Sequence, residues 1–136
     1  VKLLNGAEFR VLESAVHSAE LRQQVISDNV ANVDTPNFKR SEVLFEDLLT
    51  EAMGTNQKSI SGFRTNAKHI PIGQSSEVPA AIVATDENSS VNNNGNNVDI
   101  DREMSLLAKN QLVYNLYIQQ VNHDVSMMRT AIDGRA

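Results

Sequence analysis

Between Phe9 and Val30, apolar side chains return at alternating steps of three and four: Phe9, Leu12, Val16, Ala19, then Gln23, Ile26 and Val30. That spacing lays a stripe along one face of an α-helix, the pattern of a helix that packs lengthwise against another. A second run of the same kind fills the C-terminal end: Ile100, Met104, Leu107, Gln111, Tyr114, Ile118, Val121, Val125, Met128 and Ile132. Gln23 and Gln111 are the polar interruptions of the two seams. Neither helix can bury such a stripe alone, and each is the other's nearest partner. The pattern predicts a mainly α protein in which long N- and C-terminal helices form an antiparallel helical hairpin or coiled coil. A poorer stripe on the second helix, Leu106, Val113, Tyr117, Met127 and Ala131, is either available for contacts between subunits or ordinary solvent-exposed surface.

The helix ends carry their own signals. Asn5-Gly6-Ala7-Glu8 reads as a capping box with Asn5 as N-cap, and Leu4 and Phe9 sit where a hydrophobic staple would fall. The first helix is expected to run from about residue 5 to about 32, roughly 40 Å at 1.5 Å per residue. Pro36 disfavours helix at Thr35, so the helix should stop near Val33 or Asp34. In the second helix Asp99 is the expected N-cap, Asp101 and Glu103 suit the positive end of the dipole, and Gly134 marks the stop. This helix should measure roughly 50 Å.

Three segments follow: an N-terminal helix over residues 1–34, a connection over 35–97 and a C-terminal helix over 98–136. Within the connection, Ser41 and the acids after it predict a short helix over residues 41–53, closed by Gly54-Thr55-Asn56. Beyond it periodicity is lost. Ser59-Ile60-Ser61, Ile70-Pro71-Ile72 and residues 80–84 read as short extended pieces, making a small irregular or β-containing middle. Residues 88–97, rich in Asn, read as a polar, low-complexity turn or linker.

Composition removes several functions. The net charge of −5 leaves no basic excess for a nucleic-acid backbone, and no Lys/Arg cluster with interleaved aromatics occurs. With no Cys, thiol chemistry and Cys-based metal sites are excluded. His17, His69 and His123 lie in separate segments without metal-ligand spacing, and adjacent His123 and Asp124 would not face each other on a helix. No pair of carboxylates stands out for acid–base work, and the glycines form no dinucleotide or phosphate loop. The expectation is therefore no enzyme, no cofactor, no metal and no small-molecule substrate. The N-terminus lacks the apolar core of a secretory signal, and no apolar run reaches membrane-spanning length. A role outside the cytoplasm would require export without a cleaved signal peptide.

The most distinctive stretch is residues 21–40. Asn29, Ala31-Asn32, Thr35-Pro36 and Lys39-Arg40 closely resemble the N-terminal signature of the bacterial flagellar rod and hook proteins. That family often has Gly-Tyr where this chain has Asn37-Phe38; Asn shares some of Gly's backbone freedom and Phe keeps the ring. Residues 64–70 resemble a short basic segment of the proximal rod members. Val98-Asp99-Ile100-Asp101-Arg102-Glu103-Met104, with Leu107 and Tyr114, resembles the start of their C-terminal helix. The short chain, with no large insert, fits a proximal rod member better than a hook or distal rod protein.

The resemblance implies a structural subunit of the proximal rod of the flagellar basal body, outside the cytoplasmic membrane and periplasmic in a double-membrane cell. Such a subunit passes through the flagellar type III export apparatus, and polymerises through its terminal helices into a hollow driveshaft. Its implied partners are copies of itself, other flagellar rod proteins, the rod-base adaptor and the membrane ring protein. Residues 29–40 then become an assembly joint, and the seam residues the packing surfaces. The competing reading is a helical-hairpin adaptor that binds a partner coiled coil without polymerising; a small hydrolase using carboxylates and His69 is the control.

Overall fold

The computed structural model describes residues 6–54, 78–91 and 93–134. Five elements follow one another: α1 (Ala7–Ala31), β1 (Ser41–Leu44), α2 (Glu46–Gly54), β2 (Ile82–Thr85) and α3 (Ile100–Asp133). The two long helices pack on one another within the single chain. They run antiparallel: Asn29 at the end of α1 meets Glu103 at the start of α3, and Ala19 meets Asn110 further along.

The seam of α1 lies where the spacing places it. Ala19 and Ile26 are buried, and Phe9, Leu12, Val16, Gln23 and Val30 are half-buried. Its buried band also takes in Ala15, Ser18, Val25 and Asn29, because α1 packs against β1 as well as α3. The start of α1 differs from expectation. Gly6, in extended conformation, is the N-cap and makes no side-chain cap bond; Asn5, the expected cap, lies outside the described residues. The proposed Leu4–Phe9 staple lies outside the described residues.

In α3 the buried face is turned by about one residue from the expected seam. Leu107, Tyr114, Ile118, Val121 and Met128 do lie on the half-buried side, but Met104, Gln111, Val125 and Ile132 are exposed. The side facing α1 instead begins at Glu103 and continues through Leu106, Asn110, Val113 and Tyr117. Three members of the poorer stripe are thus partly internal, whereas Met127 and Ala131 stay exposed. The polar residue that enters the seam is Asn110, not Gln111. It is Glu103 and Asn110, both fully polar, that set the phase of the helix, which apolar periodicity cannot reveal. The helix ends obey the sequence: the Asp99 carboxylate accepts from the backbone N–H groups of Asp101 and Arg102, and Gly134 stops the helix in the left-handed region.

The middle corrects two expectations. Residues 41–44 are not a helix capped by Ser41 but strand β1, and helix α2 begins only at Glu46. β1 pairs antiparallel with β2, Ser41 opposite Thr85 and Leu44 opposite Ile82, with the Ser41 and Thr85 hydroxyls hydrogen-bonded at 2.9 Å. The expected extended piece at 80–84 is β2, displaced to Ile82–Thr85; those at 59–61 and 70–72, and the basic segment 64–70, lie outside the described residues. Strand wins over helix at 41–44 because side chains from elsewhere, described below, hold its N-terminal edge at Arg40 and Ser41, and the rest pairs with β2. The small apolar core gathers at this end of the hairpin: Val25 and Ile26 of α1, Val43 of β1, Phe45 and Val98 are all buried. Arg22 ties α2 to α1, one guanidinium nitrogen lying 2.6 and 2.8 Å from the two carboxylate oxygens of Glu46.

Candidate assembly joint

At the closed end of the hairpin the chain passes from α1 to β1 through residues 32–40. Asn32 caps α1: its N–H donates to the carbonyls of Asp28 and Asn29, and its side-chain amide donates to Asp28 at 2.8 Å. The Thr35 hydroxyl donates to the Asn32 side chain at 3.2 Å. Pro36 and Asn37 then occupy the two middle positions of a turn closed by the Phe38 N–H on the Thr35 carbonyl. Asn37 takes φ 61; Pro followed by a left-handed residue is the requirement of a type II turn. Ala31 and Pro36 are exposed, and Phe38 is half-buried.

Asn29, buried on the last turn of α1, reaches across to β1. Its side-chain amide donates to the Ser41 carbonyl at 2.8 Å and accepts from the Ser41 N–H at 3.0 Å, as a neighbouring strand would. The same nitrogen donates to Glu103 at 3.1 Å. Glu103 is fully buried and receives Arg40 Nε at 2.6 Å on its other oxygen, while a second Arg40 nitrogen meets Glu42 at 2.7 Å. Burial works against the Arg40 cation, but the hydrogen bonds to Glu42 and Glu103 and their charges outweigh it, and its pKa is raised. The guanidinium stays charged wherever the protein is folded. One carboxylate on α3 thus holds both the end of α1 and the start of β1, and a charge buried this way tolerates no missing partner.

The Asn-rich tract supplies the other half of the joint. Asn96 and Asn97 are buried. The Asn96 amide nitrogen lies 2.9–3.0 Å from the carbonyls of Asn32, Val33 and Thr35, and its oxygen accepts the Val98 N–H at 2.6 Å. Those carbonyls have no helical partner because α1 has just ended. The Asn97 side chain accepts the Arg40 N–H at 2.6 Å and donates to the Asp86 carbonyl and the Ser89 hydroxyl. The Arg40 carbonyl in turn accepts from the Asp86 N–H. Lys39 reaches over the tract, its ammonium donating to the carbonyls of Ser89 and Gly95 at 2.8 and 2.9 Å. Gly95 has φ +81, and a Cβ there would lie 2.7 Å from the Asn37 side-chain oxygen. Asp86 accepts from Ser89 and Asn88, and its carboxyl is held below the ordinary value by the Ser89 hydroxyl first and those N–H groups next.

The two stretches singled out in the sequence therefore converge. Asn29, Asn32, Thr35, Asn37, Lys39 and Arg40 all bond within the joint, and from the C-terminal stretch Val98, Asp99 and Glu103 do so. Asp101 contributes only to the first turn of α3, and Arg102 and Met104 face outward. Sequence reasoning missed Asn96, Asn97 and the burial of Glu103. The available signal for Glu103 was its position on the same face as Leu106, Leu107 and Asn110. Every one of these groups is spent on bonding its own chain, and no cluster of three metal-capable side chains occurs among the described residues. The arrangement fixes a shape.

A family model described as flagella basal body rod protein matches residues 9–39, the first helix and its exit into the joint. Over nearly the whole chain the protein is similar to the flagellar basal body rod protein FlgB of Bacillus subtilis, at 32% identity over 90% of this chain and 91% of that one. It is 44% identical to FlgB of Borreliella burgdorferi over 71% of this chain and 73% of the relative. FlgB of Salmonella typhimurium matches at 27% over 94% of both. Residues bound together in the joint, from α1 through to α3, thus fall within one continuous likeness, and the chain belongs to the flagellar basal body rod protein family.

Proposed function

We propose that this chain, a structural subunit of the flagellar basal body rod and not an enzyme, polymerises as a pre-formed helical hairpin whose geometry is set by the joint. The observation that carries this reading is the Asn29–Arg40–Glu103 cluster. It binds α1, β1 and α3 into one unit at the closed end, while large apolar side chains of α3 face solvent: Leu112 is 72% exposed, Leu116 62% and Ile132 76%. Apolar faces of this kind mark contact surfaces, and full burial of each such side chain contributes about 1.5–3 kcal/mol.

On this reading residues 1–34 and 98–136 are the assembly helices and residues 35–97 the connection. The seam residues Phe9, Leu12, Val16, Ile26, Val30, Leu107, Tyr114, Ile118, Val121 and Met128 hold the hairpin, with Val125 and Ile132 extending it towards neighbours. The subunit associates with other flagellar rod proteins in the basal body. Its finer placement follows the family: outside the cytoplasmic membrane, delivered through the flagellar export apparatus without a cleaved signal peptide, and in contact with the rod-base adaptor and the membrane ring protein. Sedimentation across a concentration series, combined with electron microscopy, tests the polymerisation. Growth of ordered rod-like assemblies is expected; a discrete soluble one-to-one complex with a single partner protein would instead make the chain an adaptor.

A further inference from the structure

Asn110 is buried in the α1–α3 seam, yet only half of its amide is used. The nitrogen donates to the Ala19 carbonyl at 2.9 Å and lies 3.5 Å from the Gln23 side-chain oxygen. The oxygen is buried and has no donor among the described residues. A buried acceptor without a donor is destabilising, and native structures seldom keep one without use. Asn110 lines a cleft of about 550 Å³ between the helices, together with Ala19, Glu20, Gln23, Gln111 and Tyr114. The cleft offers the Glu20 carboxylate at its exposed rim and side-chain carbonyls from Gln and Asn, and no cation among the described residues that line it.

The far end of α3 has the complementary character. Val125, Arg129 and Ile132 stand at i, i+4 and i+7, on one face of the helix. Val125 and Ile132 are exposed, and the Arg129 side chain is 84% exposed. Its contact with Asp133, at 3.9 Å in water, is easily exchanged for a better one. We infer that the Asn110 cleft receives Arg129 of a second copy of this chain, the guanidinium donating to the orphaned Asn110 oxygen and facing Glu20, with Val125 and Ile132 packing at the rim.

Cleft and cation sit on different parts of α3, nineteen residues apart, roughly 28 Å at 1.5 Å per residue. Where each copy gives its α3 end to one neighbour and its cleft to another, the contact is heterologous and propagates instead of closing into a dimer. This deepens the polymerisation proposed above and rests on it. Asn110 becomes the register mark of the assembly, as a lone buried Asn does in coiled coils.

The chain has no Cys, so single-cysteine variants report proximity directly. Full-length Gln24→Cys, at the cleft, and Asp133→Cys, at the α3 end, are mixed under conditions where sedimentation shows self-association, then oxidised. Heterodimers joined between these two positions are expected. Adding Arg129→Ala to the Asp133→Cys partner, a change at an exposed site, should cut their yield at least fivefold, and Arg129→Lys should restore part of it. Asn110→Leu in the Gln24→Cys partner should also cut the yield while raising the melting temperature of the dilute chain. Self-association without 24–133 pairing, or pairing indifferent to Arg129 and Asn110, overturns this inference and leaves polymerisation standing. A chain that never self-associates overturns both.

Discussion

The two ends of the hairpin are built on opposite principles. At the joint, α1, β1 and α3 meet through a fully buried carboxylate, a buried guanidinium and three buried asparagines, almost every polar atom of which is hydrogen-bonded. At the other end α3 carries exposed Val125, Met127 and Ile132. Buried polar networks are directional and specify one geometry, whereas apolar surface is non-directional and rewards whatever covers it. One end of this molecule decides its shape, and the other is suited to joining its neighbours.

The comparison can be broken most forcefully at Glu103. Glu103→Ala removes the buried partner of Arg40 Nε and one acceptor of Asn29, leaving them only Glu42 and the Ser41 carbonyl, and should cost about 3–5 kcal/mol, read from urea unfolding of the dilute protein. A loss below about 1 kcal/mol would mean that the cluster does not govern the joint. Asn96→Ala removes a donor shared by three carbonyls just past α1, of which those of Asn32 and Thr35 keep a backbone N–H, with an expected loss of about 1–3 kcal/mol in the same assay. Gly95→Ala adds a Cβ at φ +81 and 2.7 Å from the Asn37 side chain, for an expected cost of about 1–2 kcal/mol.

Smaller effects sharpen the contrast. The Asp86 carboxyl is held below its ordinary value in the folded chain, chiefly by the Ser89 hydroxyl. The stabilisation it gives its turn is present above the unfolded carboxyl value and is lost as pH falls through the folded one. The protection of the Asn88 and Ser89 amides from exchange, relative to their intrinsic rates at each pH, should fall through that acid range, and Asp86→Asn should abolish this acid dependence. Leu116→Ser, on the exposed side of α3, should leave monomer stability within about 0.5 kcal/mol yet reduce self-association measured by sedimentation. A large destabilisation of the monomer would show that this face is already packed.

Much of the helical frame was legible because its signals are local. Asp99, Gly134, the stripe of α1 and the halt before Pro36 each act within a turn or two of chain. The phase of α3 was not, since a search for apolar repeats selects Met104 over Glu103 and Gln111 over Asn110. Only the presence of Arg40 and Asn29, far away in sequence, makes burying an acid tolerable. Likewise Ser41–Leu44 has the composition of a capped helix and becomes strand because Asn29 and β2 hold its backbone, and Asn97 that of Arg40 just before it. The Asn tract looked like a linker for the same reason: its amides are solvating groups in isolation and become structural only opposite the open carbonyls of α1. The resemblance flagged residues 29–40 and 98–104 as important without revealing that they touch.

The antiparallel pairing of β1 with β2 sets Leu44 beside Ile82, so the chain leaves the helical unit and returns to it at one place. Material inserted between β1 and β2 starts and finishes at that paired edge, and each doubling of loop length costs only about 0.6 kcal/mol. The hairpin is in that sense a chassis: the same two helices and the same clasp can carry bodies of very different size, and the size of the cargo need not alter how the chassis is held together.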